Sequence, residues 1–114
     1  MIKRVYSLLL IASVLYIPSV NAITDDQSQS ILRLGELNGV ALHCKQLKQV
    51  RVIKLSLVQS LPKLRRLGDM FEAETNRSFL DFIKSGKPCP TEATLADQVQ
   101  GEITLMRELF KKPK

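Results

Sequence analysis

Between Leu37 and Leu61 the chain places an apolar residue every three or four positions: Leu37, Val40, Cys44, Leu47, Val50, Ile53, Leu57 and Leu61. That spacing matches the 3.6-residue turn of an α-helix, and nothing between 23 and 114 alternates in the period of two that a strand requires. Thr24 and Asp25 are residue types whose side chains accept hydrogen bonds from free helical N–H groups, so a first helix is predicted ahead of Gln27. The unbroken stripe predicts that this helix continues to Leu61. Gly35 and Gly39 weaken its beginning, marking either a kink or a close contact with another helix.

Pro62 interrupts the stripe. Ser60 is suited to cap a new helix with Pro62 in its first turn, where a missing N–H costs little. Leu64, Leu67, Phe71, Phe79, Phe82 and Ile83 then form a further apolar face, and Ser85-Gly86 ends it with the residue best able to adopt a left-handed conformation. A last helix follows Thr91, with Glu92 at its positive end and Leu95, Val99, Ile103, Met106 and Phe110 on one face. Lys111, Lys112 and Lys114 stand at its negative end. The pattern predicts a single all-α domain over residues 23–114, a small bundle of three to four helices.

The first 22 residues have a different character. Lys3 and Arg4 precede an uncharged stretch of 13 residues from Val5 to Ile17. Pro18 breaks that stretch, and Val20-Asn21-Ala22 offers small residues where a signal peptidase reads them. This is the three-part layout of a cleavable export leader, with cleavage after Ala22 and the periplasm as destination. An apolar run of 13 falls short of the roughly 20 residues that span a bilayer. Loss of the leader takes Lys3 and Arg4, leaving 15 basic against 11 acidic residues, a net charge of +4 in place of +6. It also removes Tyr6 and Tyr16, so the mature chain has neither Tyr nor Trp.

Export changes the meaning of the two cysteines. Cys44 and Cys89 are the only ones, and an even count in an oxidising compartment implies a disulfide. Cys89 lies between Pro88 and Pro90, which stiffen the backbone on both sides of the sulfur. The bridge ties the first long helix to the loop that delivers the last one. A domain of about 92 residues has a thin stability margin from its core alone, so such a staple matters.

Charge is the other deviation. From Cys44 to Arg66 there are seven basic residues (Lys45, Lys48, Arg51, Lys54, Lys63, Arg65 and Arg66) and no acid. Helical geometry puts Lys45, Lys48 and Arg51 on one wedge, opposite Leu47, Val50, Ile53 and Leu57. The wedge reads either as an ordinary solvated face or as a face for an anionic partner: a lipid surface, cell wall or an acidic protein. Nucleic acid is disfavoured, because the chain is exported and its four Phe are needed for the core. Val52 and Leu55 share the basic side, so this helix is apolar on two sides. It is then either central in the bundle, the favoured reading, or covered by a partner at Val52 and Leu55.

No residue set points to catalysis. His43, the one histidine, is next to Cys44, but neighbours on a helix point about 100° apart and the thiol is committed to the bridge. No metal-ligand spacing, phosphate loop or nucleophile turn is present, so the reading is a non-enzymatic protein without cofactor or metal.

The leader, the helical body, the segment Glu36-Leu37-Asn38-Gly39-Val40-Ala41-Leu42-His43-Cys44 and the Pro88-Cys89-Pro90 turn together resemble small exported proteins of Gram-negative bacteria, among them the KikA-type killing proteins of conjugative plasmids. The resemblance implies a periplasmic accessory role near conjugation or type IV secretion machinery, exerted by binding another periplasmic or envelope protein. Alternatives are an envelope-active protein whose basic helix binds anionic lipid or cell wall, and an inhibitor or immunity-type partner. The staple has a direct test. Replacing Cys44 or Cys89 by Ser should cost about 2–5 kcal/mol of stability, and thermal unfolding that does not change under reducing conditions would contradict it.

Overall fold

The Thr24 hydroxyl fixes where the first helix begins. It accepts a hydrogen bond from the Gln27 backbone N–H at 3.1 Å, while the Gln27 side-chain oxygen accepts from the Thr24 N–H at 2.9 Å. This reciprocal pair satisfies two donors that a helix start would otherwise leave free. The computed structural model describes residues 22–112 and contains, within that span, four helices and no strand. They are α1 (Asp25–His43), α2 (Leu47–Ser60), α3 (Arg65–Ser85) and α4 (Glu92–Leu109). The all-α bundle is as expected, and so is the Cys44–Cys89 disulfide, with an S–S distance of 2.10 Å and Cα atoms 5.7 Å apart. The predicted leader lies outside the described residues except for Ala22.

The long first helix is two helices. The break falls at Cys44–Gln46, where neither Gly nor Pro announces it. Lys45 takes a left-handed φ of 57°, the one positive φ outside glycine among the described residues. Its N–H bonds back to the Leu42 carbonyl at 3.2 Å and the Gln46 N–H to the Ala41 carbonyl at 2.8 Å. This is the paired closure that usually has glycine at the left-handed position. A lysine there costs about 1–2 kcal/mol. The turn is held by tertiary ties: the disulfide at Cys44, and the Gln46 side-chain amide donating to the Pro90 carbonyl at 2.9 Å. Cys44 therefore caps α1, where the stripe had placed it inside a helix.

A second boundary also differs. Ser60 ends α2, and it does not cap α3, because Leu61 before Pro62 is already extended (φ −86°, ψ 145°). Proline excludes its predecessor from the helical region. α3 starts at Arg65 after Leu64, without a capping side chain. Gly86 ends α3 at φ 64°, and the Thr91 hydroxyl caps α4 by accepting from the Thr94 N–H at 3.1 Å, both as the sequence predicts.

α1 occupies the centre. It packs on α3 along one side and on α2 and α4 along the other, α2 and α4 also touching each other. α1 and α3 run parallel, since Gly35 meets Phe71 and Glu74, Gly39 meets Thr75 and Phe79, and His43 meets Phe79 and Phe82. α4 runs antiparallel to α1, its terminal Leu109 carbonyl accepting from the Gln27 side chain at 2.8 Å. The core gathers Ile31, Leu34 and Ala41 with Val50, Ile53 and Leu57, and with Leu95, Val99, Ile103 and Met106. Leu67 and Phe71 of α3 complete it. Leu64 and Ile83, expected on the apolar face of the third helix, are 44% and 50% exposed. Only α1 approaches α3 closely, so much of α3 has nothing to pack against.

The α1–α3 seam is small and polar. A Cβ at Gly39 would stand 2.6 Å from the Thr75 carbonyl oxygen and 2.7 Å from the Phe79 nitrogen; one at Gly35 would stand 2.9 Å from the Glu74 Cβ. The two glycines thus mark a close helix contact. Hydrogen bonds follow the same seam. The Asn38 amide donates to the Thr75 hydroxyl at 3.2 Å, Thr75 donates to the Phe71 carbonyl at 2.9 Å, and the Ser78 hydroxyl donates to the Glu36 carbonyl at 2.6 Å. Two substitutions should act in opposite directions. Gly39→Ala should destabilise by about 1–3 kcal/mol despite its better helix propensity, because backbone must move. Lys45→Gly should stabilise by about 1 kcal/mol by removing the left-handed penalty. Urea unfolding checks both, and a Gly39→Ala variant as stable as the parent would contradict the seam.

Candidate functional site

With α1 in the centre, α2 becomes an outer helix. Its inner face presents Val50, Ile53 and Leu57, with Gln49 and Ser56 buried beside them. Its outer face presents Leu47, Lys48, Arg51, Lys54, Leu55 and Val58, which fall within an arc of about 120° at 100° per residue. Leu47, Leu55 and Val58 are 55%, 58% and 74% exposed. Leu47 was expected opposite the basic wedge, but at 100° per residue it falls about 40° from Arg51, and it is exposed on that side. Val52, on the flank, is half-buried against the core, whereas Leu55 points outward. The central position expected for this helix belongs to α1.

The basic residues keep their side chains in solvent. Lys45 sits in the turn before α2; Lys63, Arg65 and Arg66 cluster at the corner where α2 gives way to α3; all seven cations of the stretch are exposed. Among the described residues the ion pairs are Arg33 with Glu102 (4.0 Å), Arg77 with Glu74, Arg77 with Asp81 (2.7 Å) and Lys111 with Glu108 (4.0 Å). None involves the stretch from Lys45 to Arg66. The two helix starts here are also electrostatically unusual. α1 and α4 open with Asp25, Asp26 and Glu92 at their positive ends, as the helix dipole favours. α2 and α3 open with no acid and no capping side chain. Lys48, Arg65 and Arg66 stand in those first turns instead, adding positive charge to a positive helix end.

A groove lies between the end of α2 and the start of α3, beside Lys63 and Arg65. The disulfide and the Gln46–Pro90 hydrogen bond hold the opposite end of α2, so both ends of the outer face are positioned by the fold.

The remaining candidates have other roles. The His43 ring meets Phe79 edge-on at 5.6 Å and tilts against Phe82 at 5.1 Å, which makes it a packing residue at the top of the α1–α3 seam. The described residues contain no group of three or more His, Cys, Asp or Glu that could hold a metal ion. No described helix is long and apolar enough to cross a membrane. The sequence reading missed Val58 and the groove. Val58 breaks no periodicity, and the groove depends on how two helices meet.

Glu74, beside Gly35, has its carboxyl held below the ordinary value, mainly by hydrogen bonds from Arg77, with burial opposing and the Arg77 charge assisting. The Arg77 guanidinium is correspondingly held above its usual range. Because the Glu74 value is lowered on folding, the pair adds stability above the unfolded carboxylate pKa and loses it as pH falls through the lower folded value. Arg77→Gln should return Glu74 toward its ordinary value, read from the carboxyl carbon shift during an NMR titration. An unmoved titration would contradict the pairing. No family model, curated protein or solved structure matches this chain.

Proposed function

We propose that the chain is an exported, non-enzymatic binding protein that acts in the periplasm by docking another protein on the outer face of α2. One observation supports this above all: exposed Leu47, Leu55 and Val58 are interleaved with Lys48, Arg51 and Lys54, and none of these cations has an intramolecular ion pair among the described residues. Aliphatic side chains half or more exposed beside uncompensated charge suit a partner that supplies both apolar cover and acids. The disulfide fits an oxidising compartment. The resemblance to small exported proteins of conjugation and secretion regions supports a partner in that kind of apparatus.

An envelope-binding reading is favoured by the acid-free run of seven cations, which suits anionic headgroups. The interleaving weighs against it. A helix lying in a bilayer interface separates its apolar and charged faces, whereas here the cations occupy the same arc as the leucines. The mature chain also lacks the Trp and Tyr that anchor proteins at that depth.

The two readings respond differently to salt and substitution. Protein docking predicts that a partner cross-linked in the periplasm through the α2 face is lost on Leu55→Asp or Val58→Asp, while the folded state survives. Envelope binding predicts association with phosphatidylglycerol vesicles that falls steeply with salt and disappears when Lys48, Arg51 and Lys54 become Glu. Vesicle binding of that kind, with Leu55→Asp inert on the cross-link, would overturn the docking proposal.

A further inference from the structure

Resting on that docking reading, we infer that the corner between α2 and α3 is the anchor point of the interface, taking a bulky apolar side chain from an acidic segment of the partner. The groove there has a volume of about 350 Å3, with Leu57 and Leu61 on the α2 side, Leu64 and Leu67 on the α3 side, and Lys63 and Arg65 alongside. That is at the small end of the ~300–1,000 Å3 that ligand pockets span, room for one or two large side chains. Its walls are mostly aliphatic, so its floor selects for shape and apolarity. Its cations select for charge.

The surroundings specify the sign of the partner. No acid occurs from Cys44 to Arg66, and the first carboxylate beyond is Asp69, which makes no ion pair with any of these cations. Arg65 and Arg66 stand where the α3 dipole already repels positive charge, an arrangement that costs stability and that an incoming carboxylate would relieve. Departures from local rules of this kind concentrate where function requires them.

Gly68 adds a further feature. It lies inside α3 with a place in the groove wall, and a Cβ built on it would meet nothing within 4 Å. Glycine is a poor helix former, and no close backbone approach requires it here as one does at Gly39. A larger side chain at this position has room to reach over the groove.

A lipid acyl chain would also fit an apolar groove. The protein segment is favoured because the groove is a short notch beside a face whose charges and leucines alternate, which suits a side-chain knob with acidic flanks better than a flat bilayer. The probe is a capped hexapeptide, Glu-Glu-Leu-Phe-Glu-Glu, titrated into the oxidised mature protein labelled with nitrogen-15. Controls are Lys-Lys-Leu-Phe-Lys-Lys, Glu-Glu-Gly-Gly-Glu-Glu and phosphatidylglycerol vesicles. The inference expects saturable shifts at the Leu61, Leu64 and Gly68 amides with the acidic apolar peptide and much weaker ones with both control peptides. Gly68→Trp, which fills the groove from an open position, should weaken binding at least about tenfold. Arg65→Glu should also weaken binding while raising Tm, which separates lost recognition from lost fold.

Shifts confined to Leu47–Leu55, which lie outside the groove, or binding indifferent to Gly68→Trp, would overturn the groove while leaving docking on α2 intact. Vesicle binding blocked by Gly68→Trp, without a peptide response, would overturn the protein segment in favour of lipid. Absence of any peptide or vesicle response would overturn the groove, and the Leu55→Asp cross-link would then decide the docking reading separately.

Discussion

Two missing β-carbons set the arrangement of this protein. Gly35 and Gly39 let α1 and α3 approach until backbone meets backbone, and no other residue fits there, since a Cβ at Gly39 would lie within 2.7 Å of two α3 backbone atoms. Parallel helices at that distance leave little room for large side chains between them. The seam is therefore lined by Asn38, Thr75 and Ser78, whose side chains hydrogen-bond across it or back onto α3. The large aliphatic residues of α1 turn the other way, toward α2 and α4. One seam thus makes α1 the centre and leaves α2 and α3 each with an open side.

The division of labour among the helices follows. α1 and α4 obey the local rules for a stable helix, with threonine caps and acids at their positive ends. α2 and α3 break those rules at their starts and carry the exposed cations and aliphatics. The first pair supplies locally favoured helices, while the glycine seam between α1 and α3, the shared core and the Cys44–Cys89 staple hold the bundle together. The other pair contributes an inner face to that core and presents what is left to solvent. The left-handed Lys45 turn connects the two roles, because it ends α1 at the disulfide and sets the angle from which α2 shows its basic arc.

The sequence carried the helical class, the last helix with its Thr91 cap, the Gly86 stop and the cysteine pair, since each depends on local chemistry or on a simple count. It did not carry the break at Lys45. The apolar stripe keeps its phase through Cys44, Leu47 and Val50, and the turn is held by the bridge and Pro90 from far along the chain. Ser60 misled for a related reason, because proline acts first on the residue before it. The basic stretch was legible as composition and its interleaving with Leu47, Leu55 and Val58 follows from 100° per residue, but the outward turn of that face depends on α1 taking the centre. The corner groove was not legible at all, since its walls come from both sides of Pro62 and are apolar in any packing.

α1, seated on α3 through the glycine seam, is the element on which the other three depend. Native-state hydrogen exchange tests it most directly. Amides of α1 from Gly35 to Leu42 should be the slowest to exchange, opening only with global unfolding, while the outer turns of α2 and α3 open locally at lower free energy. Slowest exchange in α4 or α2, with α1 opening independently, would contradict the account.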